Sequence, residues 1–505
     1  MAATPSLPRT SSEVSPQEPL EAVLEKNPYA IPIRTTMLGL LGVALVALGG
    51  MGAGAILQRD PLLTRVGLSW LRYGHGHDLA SMVLYVGLGL VIWAWVRLGR
   101  LVRWGEIGDF AVLVAVTVWT LPLLFAPPLF SKDIYSYLAQ GQLALTGYDP
   151  YEVGPAVLQS TLSDNVSWVW QHTPAPYGPL FILVAKAIVW ATNASVILGV
   201  VAMRFALAGG LVLLCWALPG LARHLGGRSA VALWLVAANP LLLVHLVGGA
   251  HNDLLMIGLM AAGVLLVLDR RHVLGFVLLG LAFSVKATAV VIVPFLVWIW
   301  AARLEGDKRA QFRKALLGGV AAFVGAFLAC TLVAGVSLGW IPALRSSSMI
   351  INWLSLPSAV GDFVRMVVNW FVYVDGGIFL AVARALGSIV LVWIAYTQWW
   401  ASRDGEVREA IRRGAVTMLA VALLSPATLP WYFSWPLALA AGFAWTTGAL
   451  VAASLASVFL LLVTFPNGDT ALYSWGYLFF ALLVSALAAR SLVKPDPFGL
   501  STRYE

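Results

Sequence analysis

One carboxylate in this chain is placed for chemistry. Asp133 sits in the run Ser131-Lys132-Asp133-Ile134-Tyr135-Ser136-Tyr137, just after an apolar stretch that ends near Phe130. Tyr135 and Tyr137 follow at once, and a Gly/Pro/Tyr-rich loop comes next. A carboxylate at the mouth of a helix can take the proton of an attacking hydroxyl, which is general-base chemistry. It can equally cap the helix that begins near Ile134, accepting from free main-chain N–H groups. These residues alone leave both readings open.

Other polar residues share its setting at helix ends: His251-Asn252-Asp253, Lys286, Arg345, Tyr177, and the pair Trp431-Tyr432. Cations stabilise a leaving phosphate, and Lys286, Arg345 and His251 are candidates for that task. Each has a plainer alternative. Lys286 could snorkel to the interface, His251 could be a packing residue, and Arg345 could be solvated in its loop. Asp253 reads best as the N-cap of the helix that follows it. Trp431 and Tyr432 could form an aromatic belt. Arg204 and Arg384 fall within apolar segments and are expected to pair inside the bundle.

Several chemistries lack their motifs. There is no His-x-Glu, His-x-x-x-His or cysteine cluster of the zinc type, no Walker loop, and no Ser-x-x-Lys or Gly-x-Ser-x-Gly nucleophile. Cys215 and Cys330 lie in apolar segments and read as inert thiols.

The elements that must position these residues are membrane helices. The 505 residues are 60% hydrophobic and 11% charged, far from the charge content of a soluble domain. The apolar runs are continuous rather than alternating, so helices cross the membrane and barrel strands do not. The net charge of +8 comes from basic residues in short loops, a topology signal rather than a nucleic-acid surface. Loop charges put both termini in the cytoplasm and predict about fourteen spans between residues 36 and 490. Residues 1–35 read as a disordered cytoplasmic tail and 491–505 as a second tail. The segment 128–196 becomes a long outer loop carrying Asp133, and 337–376 a second one. An apolar piece at 178–192 reads as an interfacial helix.

An outer-face enzyme without a nucleotide motif must find its activated substrate in the membrane, and a polyprenyl-phosphate sugar fits. Direct displacement by one base inverts the anomeric centre, whereas a retaining route would require a second carboxylate close by. Tyr135, Tyr137, Tyr177, Trp431 and Tyr432 suit stacking on the donor or acceptor sugar.

The motifs Ser131–Gly141, Gly-Tyr-Asp-Pro-Tyr at 147–151 and Pro-Tyr-Gly-Pro-Leu at 176–180 resemble those of the GT-C membrane glycosyltransferases. More closely, the chain resembles the actinobacterial polyprenol-phosphate-mannose-dependent α-(1→6)-mannosyltransferases of lipomannan core synthesis. Ala-Asn-Pro-Leu at 238–241, Phe-Ser-Val-Lys at 283–286 and Pro-Trp-Tyr-Phe-Ser-Trp-Pro at 430–436 extend the likeness over roughly residues 36–490. The resemblance implies an all-α polytopic GT-C bundle in the plasma membrane with interfacial helices on its outer face. It implies a catalytic aspartate at Asp133, a polyprenyl-phosphate-mannose donor, a lipid-anchored mannan acceptor, and inversion with neither metal nor other cofactor. One departure stands out: Lys132 precedes a single Asp133 where the broader superfamily often carries an acidic pair. The alternatives are a lipid-linked sugar flippase, a non-catalytic scaffold, and a related transferase for arabinose or glucose.

Overall fold

The structure, a computed structural model, describes residues 29–58, 60–374 and 376–495. Most of the expected tails, residues 1–28 and 496–505, lie outside the described residues. The described chain is helical, and its β structure amounts to two isolated bridges, Gly226 with Phe443 and Thr464 with Thr470.

Six helices among the described residues are long and apolar enough to cross a membrane: Ile33–Ala53, Gly74–Arg103, Val196–Leu225, Lys308–Ala334, Gly377–Ala401 and Trp475–Val493. The bent pair Leu242–Gly248 and Asp253–Leu268, angled at 113°, can supply a seventh. By length and composition, six or seven spans stand among the described residues where about fourteen are expected. The helices Asp109–Phe125 and Thr447–Leu462 have 17 and 16 residues, and His272–Phe283 has 12. At 1.5 Å per residue these measure roughly 18–26 Å, short of a hydrocarbon core of about 30 Å.

The apolar run over 229–247 is broken, for a local reason. Pro240 has no N–H to continue the ladder, and the helix that starts at Ser229 ends at Leu235. The Asn239 side chain covers the break: Nδ2 donates to Leu235 O (2.9 Å) and Ser457 Oγ (2.8 Å), and Oδ1 accepts from Leu241 N (3.0 Å). A π-helical turn, Leu242–Gly248, follows. Irregular backbone of this kind survives at membrane depth only inside protein, and residues 230–254 are buried throughout.

The apolar piece at 178–192 forms the helix Pro179–Ala191. At 13 residues it is too short to cross, and it packs against the helix Asp133–Leu145. Lys186, in its middle, reaches Ala334 O at 3.4 Å, near the end of another helix where free carbonyls favour a cation.

Arg204 and Arg384 both donate to backbone carbonyls. Buried Arg204 donates to Val247 O (3.2 Å), Gly248 O (2.7 Å), Pro127 O (2.8 Å) and Ala126 O. It thereby joins the end of the Asp109–Phe125 helix to the end of the π-helical turn. Arg384 donates to Ile350 O (3.0 Å) and Pro426 O (2.9 Å). Each arginine fork satisfies carbonyls that helix ends leave over, and each ties together segments that lead into the site.

Candidate active site

Asp133 is delivered by a stiff connection. Pro127 and Pro128 end the preceding helix, and Phe130 takes a left-handed conformation, φ 60°, uncommon for a bulky residue. Phe130 N–H donates to Pro466 O (2.8 Å), and Leu129 N–H to Gly248 O (3.3 Å). Asp133 opens the helix Asp133–Leu145, whose start carries no side-chain cap bond. The cap reading therefore does not describe this carboxylate. Its N–H donates to Ser131 Oγ (3.0 Å), while the side chain, 20% exposed, lines a cleft of about 260 Å³.

His251 stands behind Asp133. Its Nδ1 lies 3.4 Å from Asp133 Oδ2, longer than the 2.7–2.9 Å of a charge-assisted hydrogen bond. Neither ring nitrogen has a hydrogen-bond partner. The ring is buried and stacks on Trp431 with centroids 3.6 Å apart and planes at 20°. His251 is absent from the cleft lining, so the structure gives a bound phosphate no direct line to it.

Lys286 and Asp253 form the second feature. Lys286 Nζ donates to both carboxylate oxygens of Asp253 at 2.8 Å, and Trp435 Nε1 donates to Asp253 Oδ1 at 2.6 Å. Asp253 was expected to be the N-cap of its helix; that position falls to Asn252, which makes no side-chain cap bond, and the carboxylate is spent on Lys286. The aromatic rings of Tyr432 and Trp435, stacked at 4.2 Å, flank the ammonium at 4.5 and 5.2 Å. Burial works to lower the Lys286 ammonium, but the Asp253 charge, Tyr432 and the hydrogen bond outweigh it, and the lysine sits above its ordinary value.

The turn that carries Lys286 is pinned from the other side. Gly178 N–H donates to Val285 O (3.1 Å) and Leu180 N–H to Ser284 O (2.9 Å). A Cβ on Gly178 would come 2.3 Å from Ser284 O, so only glycine permits this approach. Tyr177, one residue earlier, is thereby set against the cleft, edge-on to Tyr137 at 4.9 Å. Burial raises both phenols well above their ordinary value, with nearby negative charges including Asp133 adding to the effect. Neither tyrosine competes with a carboxylate as base.

Comparison with known proteins decides the family. Residues 36–302 match the model described as alpha-(1->6)-mannopyranosyltransferase, N-terminal domain, and 357–494 match the MptB C-terminal domain. The chain belongs to the alpha-(1->6)-mannopyranosyltransferase family. It is 41% identical to alpha-(1->6)-mannopyranosyltransferase A of Mycobacterium tuberculosis, over 92% of this chain and 90% of that protein. It is 34% identical to the protein of the same description in Corynebacterium glutamicum, over 88% and 95%. Alpha-(1->6)-mannopyranosyltransferase B of Corynebacterium glutamicum is 29% identical, over 79% and 71%. No solved structure matches the chain.

In this member of the family, the structure gathers Asp133, Tyr137, Tyr177, Lys286, Trp431 and Tyr432 around one cleft. Three candidates stand outside its lining: His251 behind Asp133, Tyr135 and Arg345. Tyr135 turns away from Asp133, because two residues along a helix is a rotation of about 200°, and its hydroxyl donates to Ala55 O at 2.9 Å. Arg345 is exposed, and its neighbour Leu344 lines the cleft in its place. Sequence reasoning passed over Trp435 and Thr288. Trp435 lies four residues after Trp431 in a motif already conspicuous for its aromatics. Thr288 lines the cleft with a hydroxyl that has no hydrogen-bond partner; two residues beyond Lys286 in an apolar run, it carried no signal.

Proposed function

We propose that this chain is an inverting mannosyltransferase of the GT-C type, working at the extracytoplasmic face of the plasma membrane. It takes mannose from polyprenyl-phosphate-mannose and passes it to the 6-hydroxyl of a lipid-anchored mannan. The carrying observation is the unequal state of the two carboxylates that line the cleft. Asp253 is bound at both oxygens by Lys286 and again by Trp435, whereas among the described residues the Asp133 carboxylate has one ionisable contact, His251 Nδ1 at 3.4 Å. One carboxylate is thus available to take a proton, as single displacement requires.

The proton of the acceptor hydroxyl passes to an Asp133 oxygen as the hydroxyl oxygen bonds to the anomeric carbon. The bond from that carbon to the phosphate oxygen breaks, and its electron pair leaves with the polyprenyl phosphate. Asp133 then returns its proton to water. Inversion with an α-linked product calls for a β-linked donor. Lys286 has a third N–H beyond the two given to Asp253, and with the Thr288 hydroxyl it offers donors to the leaving phosphate. The sugar and the linkage are taken from the names of the relatives, and the orientation from the loop charges.

Purified chain supplied with a short α-1,6-linked mannoside should elongate it from polyprenyl-phosphate-mannose and not from GDP-mannose. Elongation from the nucleotide sugar, with the lipid donor idle, would overturn the donor assignment.

A further inference from the structure

Asp133 faces two clefts, not one. Besides the cleft that holds Lys286, a second of about 270 Å³ adjoins it and shares Asp133, Trp170, Ile350, Leu429 and Trp431 with the first. The two differ in chemistry. The Lys286 cleft is walled by aromatic rings, prolines and aliphatic side chains around one ion pair. The second is edged by Lys132, Trp168, Asn352, Asn467, Asp469 and Thr470. Trp168 is 82% exposed, and an indole face open to water beside amide, hydroxyl and carboxylate groups is a surface for a polyhydroxylated ring.

The wall of this second cleft is built onto the Asp133 connection. Residues 464–470 form a tight hairpin closed by the Thr464–Thr470 bridge and by Phe465 N–H donating to Asp469 O (2.8 Å). Gly468 turns it with φ 98°, and a Cβ there would meet Ser131 Cα at 3.3 Å. Pro466 O accepts from Phe130 N–H. Inside the hairpin, Asn467 Nδ2 donates to Asp469 Oδ2 (2.7 Å), and Asp469 N–H donates to Asn467 Oδ1 (3.0 Å). The remaining amide and carboxylate valences of both exposed side chains open to the cleft, on a turn bonded three residues before Asp133.

We infer that this second cleft is the acceptor site: it takes the non-reducing end of an α-1,6-linked mannoside, Trp168 beneath a sugar ring and Asn467 and Asp469 on its hydroxyls. The terminal primary hydroxyl then reaches Asp133 from this cleft, and the lipid-phosphate sugar from the Lys286 cleft. The inference rests on the mannosyltransferase reading above. It also removes the acceptor from Tyr137, Tyr177 and Tyr432, which border only the Lys286 cleft.

Asn467→Ala, Asp469→Ala and Trp168→Ala are made in the full chain, where all three side chains are exposed, and each variant is first matched to the parent in unfolding temperature. The kinetic arm varies mannoside and donor separately. The inference predicts that acceptor KM rises at least ten-fold in each variant while donor KM moves less than two-fold. An unchanged acceptor KM in all three, or a rise confined to donor KM, overturns it. The binding arm uses saturation-transfer NMR with α-1,6-mannobiose and needs no turnover. Contact signals present for the parent chain and lost in the variants support the site even if mannose transfer itself is never observed. No signal for the parent, or equal signals in all four proteins, overturns the site whatever the transfer assay shows.

Discussion

Lys286 and Asp253, 33 residues apart, meet with Nζ 2.8 Å from each carboxylate oxygen, and only 17% and 1% of the two side chains remain exposed. A buried pair of this kind stands on both partners. Removing one strands the other, at about 3–5 kcal/mol. Lys286→Met should therefore lower the thermal unfolding temperature of the detergent-solubilised protein clearly. Adding Asp253→Asn should return most of that loss without returning transfer. A single Lys286→Met variant as stable as the parent would show that the pair contributes nothing.

The same pair sets a pH dependence. The lysine is raised in the folded state, so its contribution is fully present below the unfolded lysine value of about 10.4 and is lost as pH rises through the folded value. Unfolding temperature measured from pH 8 to 11 should fall more steeply at the alkaline end for the parent than for the Lys286→Met, Asp253→Asn double variant. Parallel curves would contradict the shift.

His251 was a candidate for the donor phosphate, and its position behind Asp133 and against Trp431 suggests a different readout. It packs between Asp133 and Trp431, and we propose it as a positioning residue rather than a phosphate ligand. His251→Ala should lower kcat about ten-fold or more, in line with the sensitivity of catalysis to small misplacements, with donor KM changed less than two-fold. His251→Asn, which keeps polarity but loses the stacked ring, should recover little. A large rise in donor KM at constant kcat would restore the phosphate role.

Arg204 joins the two segments that present Asp133 and His251 through four backbone carbonyls. Arg204→Lys keeps the charge but not the planar fork, so it should not substitute. Both Arg204→Lys and Arg204→Met should give little folded protein by size-exclusion profile. Wild-type yield from Arg204→Lys would mean that charge alone suffices.

How far the sequence reached follows from distance along the chain. Asp133 was legible because a polar run interrupts apolar sequence, and the helix at Pro179–Ala191 because a short apolar piece carries a lysine. The pairing of Asp253 with Lys286 was not, since it depends on the 113° bend that brings residues 248–253 around. The break itself was written in Asn239-Pro240, but the continuous hydrophobicity of 229–247 concealed it. Tyr135 shows the opposite error: adjacency to Asp133 in sequence placed it in the site, and helical geometry aims it at Ala55. The six long helices were the easiest part, because apolar length alone specifies them.

The role of Asp133 as base is tested by the single-turnover rate of mannose transfer from labelled polyprenyl-phosphate-mannose to an α-1,6-mannoside, for the parent chain and for Asp133→Asn, an uncharged side chain of the same shape. A fall of about 10²–10⁴-fold is expected, with donor binding and the unfolding temperature retained. Transfer by Asp133→Asn within a few-fold of the parent rate would contradict it.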